Sequence, residues 1–306
     1  MNSLLEAVLD WPNLSLAWEM VAQNHGAPGA DGVRISRFRR HWQEHLYKLR
    51  DLVRAGRYRP GRLRRIVIPK KKGGWRVLKI PNVGDRVLQR AVLNVLEPRY
   101  EQVFLPCSFG YRPGRSLHDA VAALLQHRDA GRVWVLDADI DNCFDELNHL
   151  YLRTQLMNVV TDPRLMDLML LWLKAGRFAR KPDRGIAQGM PISPLWANVY
   201  LHQLDMRLTA AGLALVRYAD DFVVLCDSRK QAERVYALVA DVLAEMHLRY
   251  EPTKTRVTSF HDGFEFLGVA FRGATYTFTW EQKRVKVAGP TPAMLWNYVP
   301  HGYDSE

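Results

Sequence analysis

Leu213-Ala214-Leu215-Val216, Tyr218-Ala219-Asp220-Asp221 and Phe222-Val223-Val224-Leu225 place an acidic pair between two short apolar runs. Both runs are rich in strand formers and only a few residues separate them. They predict a β-hairpin with the acids at its tip. Neighbouring carboxylates repel each other unless a cation lies between them, so the pair suits a divalent metal. Alone the tetrapeptide decides little, because paired acids are also ordinary turn chemistry.

A second acidic element lies upstream: Val133-Trp134-Val135-Leu136-Asp137-Ala138-Asp139-Ile140-Asp141-Asn142-Cys143-Phe144-Asp145. Its apolar start predicts a strand with Asp139 at or just beyond the end. Phosphoryl transfer with two cations roughly 3.5–4 Å apart needs carboxylates that converge from separate elements. Asp139, Asp220 and Asp221 meet that need if the two strands are neighbours. Asp137 alternates in phase with Asp139 and could share its face. A calcium loop fits Asp137, Asp139 and Asp141 at its first, third and fifth positions. It fails at Asn142, where Gly is wanted, and at Asn148, where Glu is wanted.

Between these elements runs Arg184-Gly185-Ile186-Ala187-Gln188-Gly189-Met190-Pro191-Ile192-Ser193-Pro194-Leu195, followed by a helical pattern. Ser193 reads as the helix cap with Pro194 at the first helical position. Gln188 sits between small residues, where a planar ligand could come close.

The chain has 306 residues, 48% of them hydrophobic, and a net charge of +11. That is enough apolar material for one or two buried cores. The charge is concentrated. Arg54 to Arg90 holds 13 Lys/Arg against one acid, Asp85, so the rest of the chain sums to about −1. A run this basic is often a generic solvated face, but the interleaved Tyr58, Trp75 and strand-like Arg65-Ile66-Val67-Ile68 point to a folded nucleic-acid surface. The three cysteines, Cys107, Cys143 and Cys226, lack metal-ligand spacing and suggest no disulfide framework, which fits a reducing cytoplasm. No secretory or membrane-length apolar segment is present, so no membrane partner is expected.

The ordered segments DADIDNCFD, RGIAQGMPISP, YADD and Phe266-Leu267-Gly268 resemble the palm of reverse transcriptases. Asn24-His25-Gly26-Ala27-Pro28-Gly29-Ala30-Asp31-Gly32 is similar to the N-terminal block of the group II intron lineage. So are the segments from Ile66 to Pro81 and from Ser108 to Ser116. The resemblance covers about residues 12–270.

The resemblance implies an α+β right-hand polymerase, with fingers and a palm whose antiparallel sheet is backed by helices. Residues 1–130 would be mainly fingers, 131–260 the palm with some interleaving near 150–190, and 261–306 a primer-grip hairpin and short tail. Asp139, Asp220 and Asp221, with the Ile140 carbonyl, would hold two Mg2+, and Mn2+ would be an acceptable substitute. Lys254 would protonate the leaving pyrophosphate. Lys70, Lys71, Lys72 and Arg76 would grip the triphosphate, Gln188 would meet the incoming nucleotide and Phe144 would exclude a ribose hydroxyl. Trp75, Gly189, Tyr218, Phe266, Leu267 and Gly268 would contact the template and primer. The implied partners are an RNA template, a DNA or RNA primer and dNTPs.

About 36 residues follow the primer grip, and they carry Ala288-Gly289-Pro290-Thr291-Pro292. A three-helix thumb is therefore expected to be absent or truncated, with further chain or a partner supplying it. The short form looks like the CRISPR-associated branch, in which the enzyme works beside spacer integrase subunits in antiviral defence. Two other readings stand beside polymerisation: a non-catalytic RNA-binding, maturase-like palm, and a fragment serving group II intron mobility.

Overall fold

Apolar residues recur every second position in the strands and every three to four in the helices, and the chain folds along those patterns. The computed structural model describes residues 3–69, 74–177, 181–280 and 283–289. The first elements are α1 (Leu4–Val8), α2 (Trp11–Gln23), α3 (Ile35–Phe38), α4 (Trp42–Arg54), β1 (Arg64–Pro69), β2 (Trp75–Ile80) and α5 (Val83–Glu101). They continue with α6 (Leu117–Asp129), β3 (Trp134–Asp139), α7 (Cys143–Glu146), α8 (His149–Leu156), α9 (Pro163–Gly176) and α10 (Ser193–Ala210). The last are β4 (Ala214–Tyr218), β5 (Asp221–Cys226), α11 (Arg229–Glu245), β6 (Arg256–Ser259), β7 (Phe264–Phe266), β8 (Val269–Arg272), β9 (Thr275–Trp280) and β10 (Lys283–Ala288). The chain divides into two units, Met1–Val103 with Leu147–Val199, and Phe104–Glu146 with Tyr200–Ser305.

In the first unit the apolar faces of α2 and α5 form the core, with Leu14, Trp18, Val83, Val87, Leu88 and Leu96 buried. The basic run forms the antiparallel β1–β2 pair, in which Arg65 stands opposite Lys79 and Ile68 opposite Arg76. Its connecting Lys70, Lys71 and Lys72 lie outside the described residues. The one acid of that run, Asp85, is buried: it accepts from the Tyr58 hydroxyl at 2.6 Å and from the Gly61 N–H at 3.0 Å. Residues 149–176 form two helices, α8 and α9, because Asp162-Pro163 starts a new one. Asp162 accepts from the backbone N–H of Arg164 and Leu165, and Pro163 occupies the first turn.

The second unit carries a four-stranded antiparallel sheet in the order β4-β5-β3-β6, against which α6 and α11 pack. A second sheet has the order β10-β9-β8-β7. Both contribute to one core, which includes Phe109, Val121, Leu124, Val135, Val223, Phe264, Phe271, Tyr276 and Phe278. β9 and β10 lie in what the sequence suggested was only a tail. Thr275-Tyr276-Thr277-Phe278-Thr279 alternates polar and apolar, and Tyr276 and Phe278 fill the inner face. Of the residues after the primer grip, on which the thumb expectation rests, 271–280 and 283–289 are described and carry β9 and β10, and the others lie outside the described residues. Among the described residues, no helix is long and apolar enough to cross a membrane.

Candidate functional site

The acidic elements meet within the second unit. β3 and β5 are direct neighbours, and Asp139, the last residue of β3, pairs with Asp221, the first of β5. Tyr218 closes the β4–β5 hairpin opposite Asp221, so Ala219 and Asp220 form a two-residue turn. Asp220 is thus at the tip, while Asp221 belongs to the strand. Ala219 has φ 58, the positive value that the first position of a II′ hairpin turn requires and that usually selects Gly.

Neighbouring chain supports that strained turn. Phe109 N–H donates to the Arg217 carbonyl, and Arg217 N–H donates to the Cys107 carbonyl, each at 2.8 Å. The segment following Cys107 therefore runs along β4. At Gly110 a Cβ would lie 2.4 Å from the Ala219 nitrogen, so only glycine allows this approach.

Arg217 is fully buried. Its Nε and Nη2 each donate to one oxygen of the equally buried Asp205 at 2.6 Å. Nη2 also donates to Ser108 Oγ, and Nη1 to the Ala219 carbonyl, each at 2.8 Å. Burial pulls the Arg217 pKa down, and the charge and hydrogen bonds of Asp205 more than offset it. Arg112, also buried, holds the same segment through the Leu105 and Ser108 carbonyls at 2.7 Å.

The stretch after α11 runs along the other edge of β3. Glu251 N–H donates to the Asp139 carbonyl and Asp141 N–H to the Arg249 carbonyl. These bonds flank the Ile140–Tyr250 bridge and do not use the Ile140 carbonyl. Lys254 is thereby brought to Asp139, and its ammonium donates to Oδ2. Partial burial lowers the Lys254 pKa, but the Asp139 hydrogen bond and charge outweigh this and raise it above the ordinary lysine value.

The other acids of the β3 region have different partners. Asp137 pairs with Arg256 at 3.4 Å, and burial pushes its pKa up to about 6 against that arginine. Asp141 takes a two-pronged bond from Arg249 at 2.8 and 2.5 Å. Among the described residues, no three His, Cys, Asp or Glu side chains form a ready-made metal cage.

Phe144 is buried in the short α7, and Tyr218 is half-buried against the core. Phe266 and Leu267 point into the core as well. Leu267 and Gly268, with φ 54 and 73, make a type I′ turn between β7 and β8. The side chains of Phe266 and Leu267 are thus buried, and Gly268 at the turn is half-buried.

The other expected residues lie in the first unit. Trp75 is exposed at the start of β2, and Arg76 beside it is half-buried. The Gln188 carbonyl accepts from Lys79 N–H at 2.7 Å, which lays the Gln188-Gly189 loop on β2. Gly189, at φ +97, would bring a Cβ to 3.3 Å from the Lys79 carbonyl oxygen. Ser193 is the first residue of α10, and its hydroxyl donates to the Ala187 carbonyl at 2.7 Å. It thus ties down the loop instead of serving as the expected cap.

Arg217, Asp205, Ser108 and Gly110 are site-building residues that the motifs do not single out. One signal was available: Arg217 is the single charge between Leu213-Ala214-Leu215-Val216 and Tyr218, inside a strand otherwise apolar up to the tyrosine.

Residues 68–271 match the family described as reverse transcriptase (RNA-dependent DNA polymerase). Protein YkfC of Escherichia coli K12 is 34% identical, the match covering 79% of this chain and 74% of that protein. The group II intron-encoded protein LtrA of Lactococcus lactis subsp. cremoris is 36% identical over 53% of this chain and 28% of LtrA. A chain of the partial Cas6-RT-Cas1–Cas2 complex is 25% identical over 80% of this chain and 42% of that one, with a TM-score of 0.49, a likeness too loose to assign a partner. With the family match spanning most of the molecule, and both acidic strand ends inside it, this chain belongs to the reverse transcriptase family.

Proposed function

We propose that the chain is an RNA-directed DNA polymerase, which extends a DNA or RNA primer with dNTPs on an RNA template. The observation that carries this reading is the pairing of Asp139 with Asp221 beside Asp220 on the adjoining turn. The first unit would do the work of the fingers and the second that of the palm.

The donor set suits Mg2+. That ion takes oxygen ligands, keeps several waters, and is held in such enzymes by one or two carboxylates plus substrate phosphates, without an all-protein cage. Asp139, Asp220 and Asp221 would hold two ions, with the Ile140 carbonyl as a further donor. When bound, the ions activate the primer hydroxyl and neutralise charge on the triphosphate.

The protein's own groups orient and protonate. Lys254 stays charged against Asp139 and would give its proton to the pyrophosphate oxygen. Arg76, with Lys70, Lys71 and Lys72, supplies positive charge for the triphosphate. Gln188 and Gly189 would meet the incoming nucleotide and the template. Phe144 would close the space beside the sugar C2′.

The test is primer extension on an RNA template with Mg2+ and dNTPs, beside Asp220→Asn. Metal-dependent cDNA that is lost in a folded, RNA-binding variant supports the reading. Equal extension by both proteins overturns it. In the same assay, Phe144→Ala should raise rNTP use about 10-fold or more, on the scale of a lost side-chain contact. Unchanged rNTP exclusion would remove its gate role. Adding spacer integrase subunits tests whether cDNA feeds CRISPR spacer acquisition.

A further inference from the structure

The Asp205–Arg217 pair poses a physical question, because a buried ion pair is weak evidence for stability: desolvating both charges offsets most of their attraction. Its geometry suggests another use. The same guanidinium reaches α10 through Asp205, the segment after Cys107 through Ser108, and the acidic turn through the Ala219 carbonyl. A planar fork fixes three partners in one plane, which a lysine ammonium cannot do.

The bond to Ala219 falls on the residue of the turn with positive φ. That conformation is strained for an L-residue and persists only where the surroundings over-determine it. Two contacts do so here: Arg217 Nη1 on the carbonyl, and Gly110 against the nitrogen. The next residue is Asp220, and the one after it, Asp221, stands opposite Asp139.

We infer that Arg217, locked by Asp205, is a positioning residue. It sets where the Ala219 turn places Asp220 and Asp221, and Gly110 completes the support. This rests on the polymerase reading for its link to rate. The placement of the carboxylates can be measured without turnover.

The experiment compares wild type with the double variant Arg217→Met/Asp205→Leu, which removes both buried charges at similar volume and so avoids stranding either one. Thermal unfolding, template–primer affinity, calorimetric Mn2+ binding and steady-state extension are read on each. Gly110→Ala is a second variant that keeps the ion pair.

Positioning predicts a cooperatively folded double variant with unchanged template–primer affinity and weaker Mn2+ binding. Its kcat should fall about 100-fold at similar KM for dNTP, the scale of a roughly 1 Å misplacement. Gly110→Ala should reproduce the loss of kcat. A folded double variant with wild-type Mn2+ binding and wild-type kcat overturns the inference and leaves the pair a packing feature. If the double variant does not fold, Gly110→Ala decides by the same readouts. If wild type binds Mn2+ but does not extend primers, the polymerase reading fails and the Mn2+ difference alone decides positioning. If wild type does neither, both fall.

Discussion

Asp139 and Asp221 are cross-strand partners at the end of the β3–β5 ladder, two carboxylates placed opposite each other. Like charges at such a position destabilise a sheet by roughly 0.2–1 kcal/mol. Lys254 offsets part of this from the Asp139 side. Asp221→Asn should therefore raise the unfolding free energy, or leave it unchanged, by up to about 1 kcal/mol. It should also abolish or severely reduce primer extension. Chemical denaturation beside an extension assay checks both. A variant that is less stable and fully active would show that the acid serves structure.

Lys254→Gln separates the two tasks assigned to that lysine. It removes the proton donor while keeping a side chain able to hydrogen-bond Asp139. If Lys254 protonates the leaving group, kcat should fall about 10²–10⁴-fold, the range for general acid catalysis, with template–primer affinity preserved. Pre-steady-state nucleotide addition is the measurement. A loss confined to dNTP affinity would instead assign Lys254 to binding.

How much of this site was legible depends on the range of the interactions. Asp220 and Asp221 stand out because they sit between two apolar runs, a local signal, whereas the choice of Asp139 over Asp137 on the upstream strand leans on the reverse-transcriptase resemblance. Their convergence needed the β3–β5 register, which no short window contains. Gly110 lies over 100 residues from Ala219, and its requirement for glycine comes only from the backbone that presses on it. Arg217 showed as an anomaly in an apolar strand, but its partners Asp205 and Ser108 lie on other elements. β9 and β10 had clear alternation, and the Gly/Pro signal just beyond them drew the reading toward a tail.

Tyr58 bridges two buried polar groups: its hydroxyl donates to Asp85 and accepts from Trp172 Nε1–H at 2.9 Å. Burial, then the nearby Asp85 charge, raises the phenol pKa, so the group stays a neutral donor. Tyr58→Phe keeps the ring and leaves both neighbours short of a partner. The expected cost is about 1–3 kcal/mol, the penalty for stranding a buried polar group. Urea unfolding measures it, and a change within error would mean that solvent reaches the site.

Asp162 gives the first unit a defined response to acid. Its burial raises the carboxyl pKa, but hydrogen bonds from Leu5 N–H, Ser3, Arg164 N–H and Leu165 N–H outweigh that, and the net shift is downward. Above the unfolded value, near 3.9, both states are ionised and the stabilisation is complete. As pH falls below that value, the unfolded chain takes up a proton before the native one does. The contribution then declines and is gone once pH passes the depressed native pKa. Asp162→Ala removes the α9 cap and the acceptor for Leu5. It should cost about 1–2 kcal/mol at neutral pH, the range of a lost cap. The gap between wild type and variant should stay constant from pH 7 to 5 and narrow below pH 4. Urea unfolding of both proteins at pH 7, 5 and 3 reads this directly. A gap that does not change with pH would mean that the hydrogen bonds hold the protonated acid as well as the carboxylate.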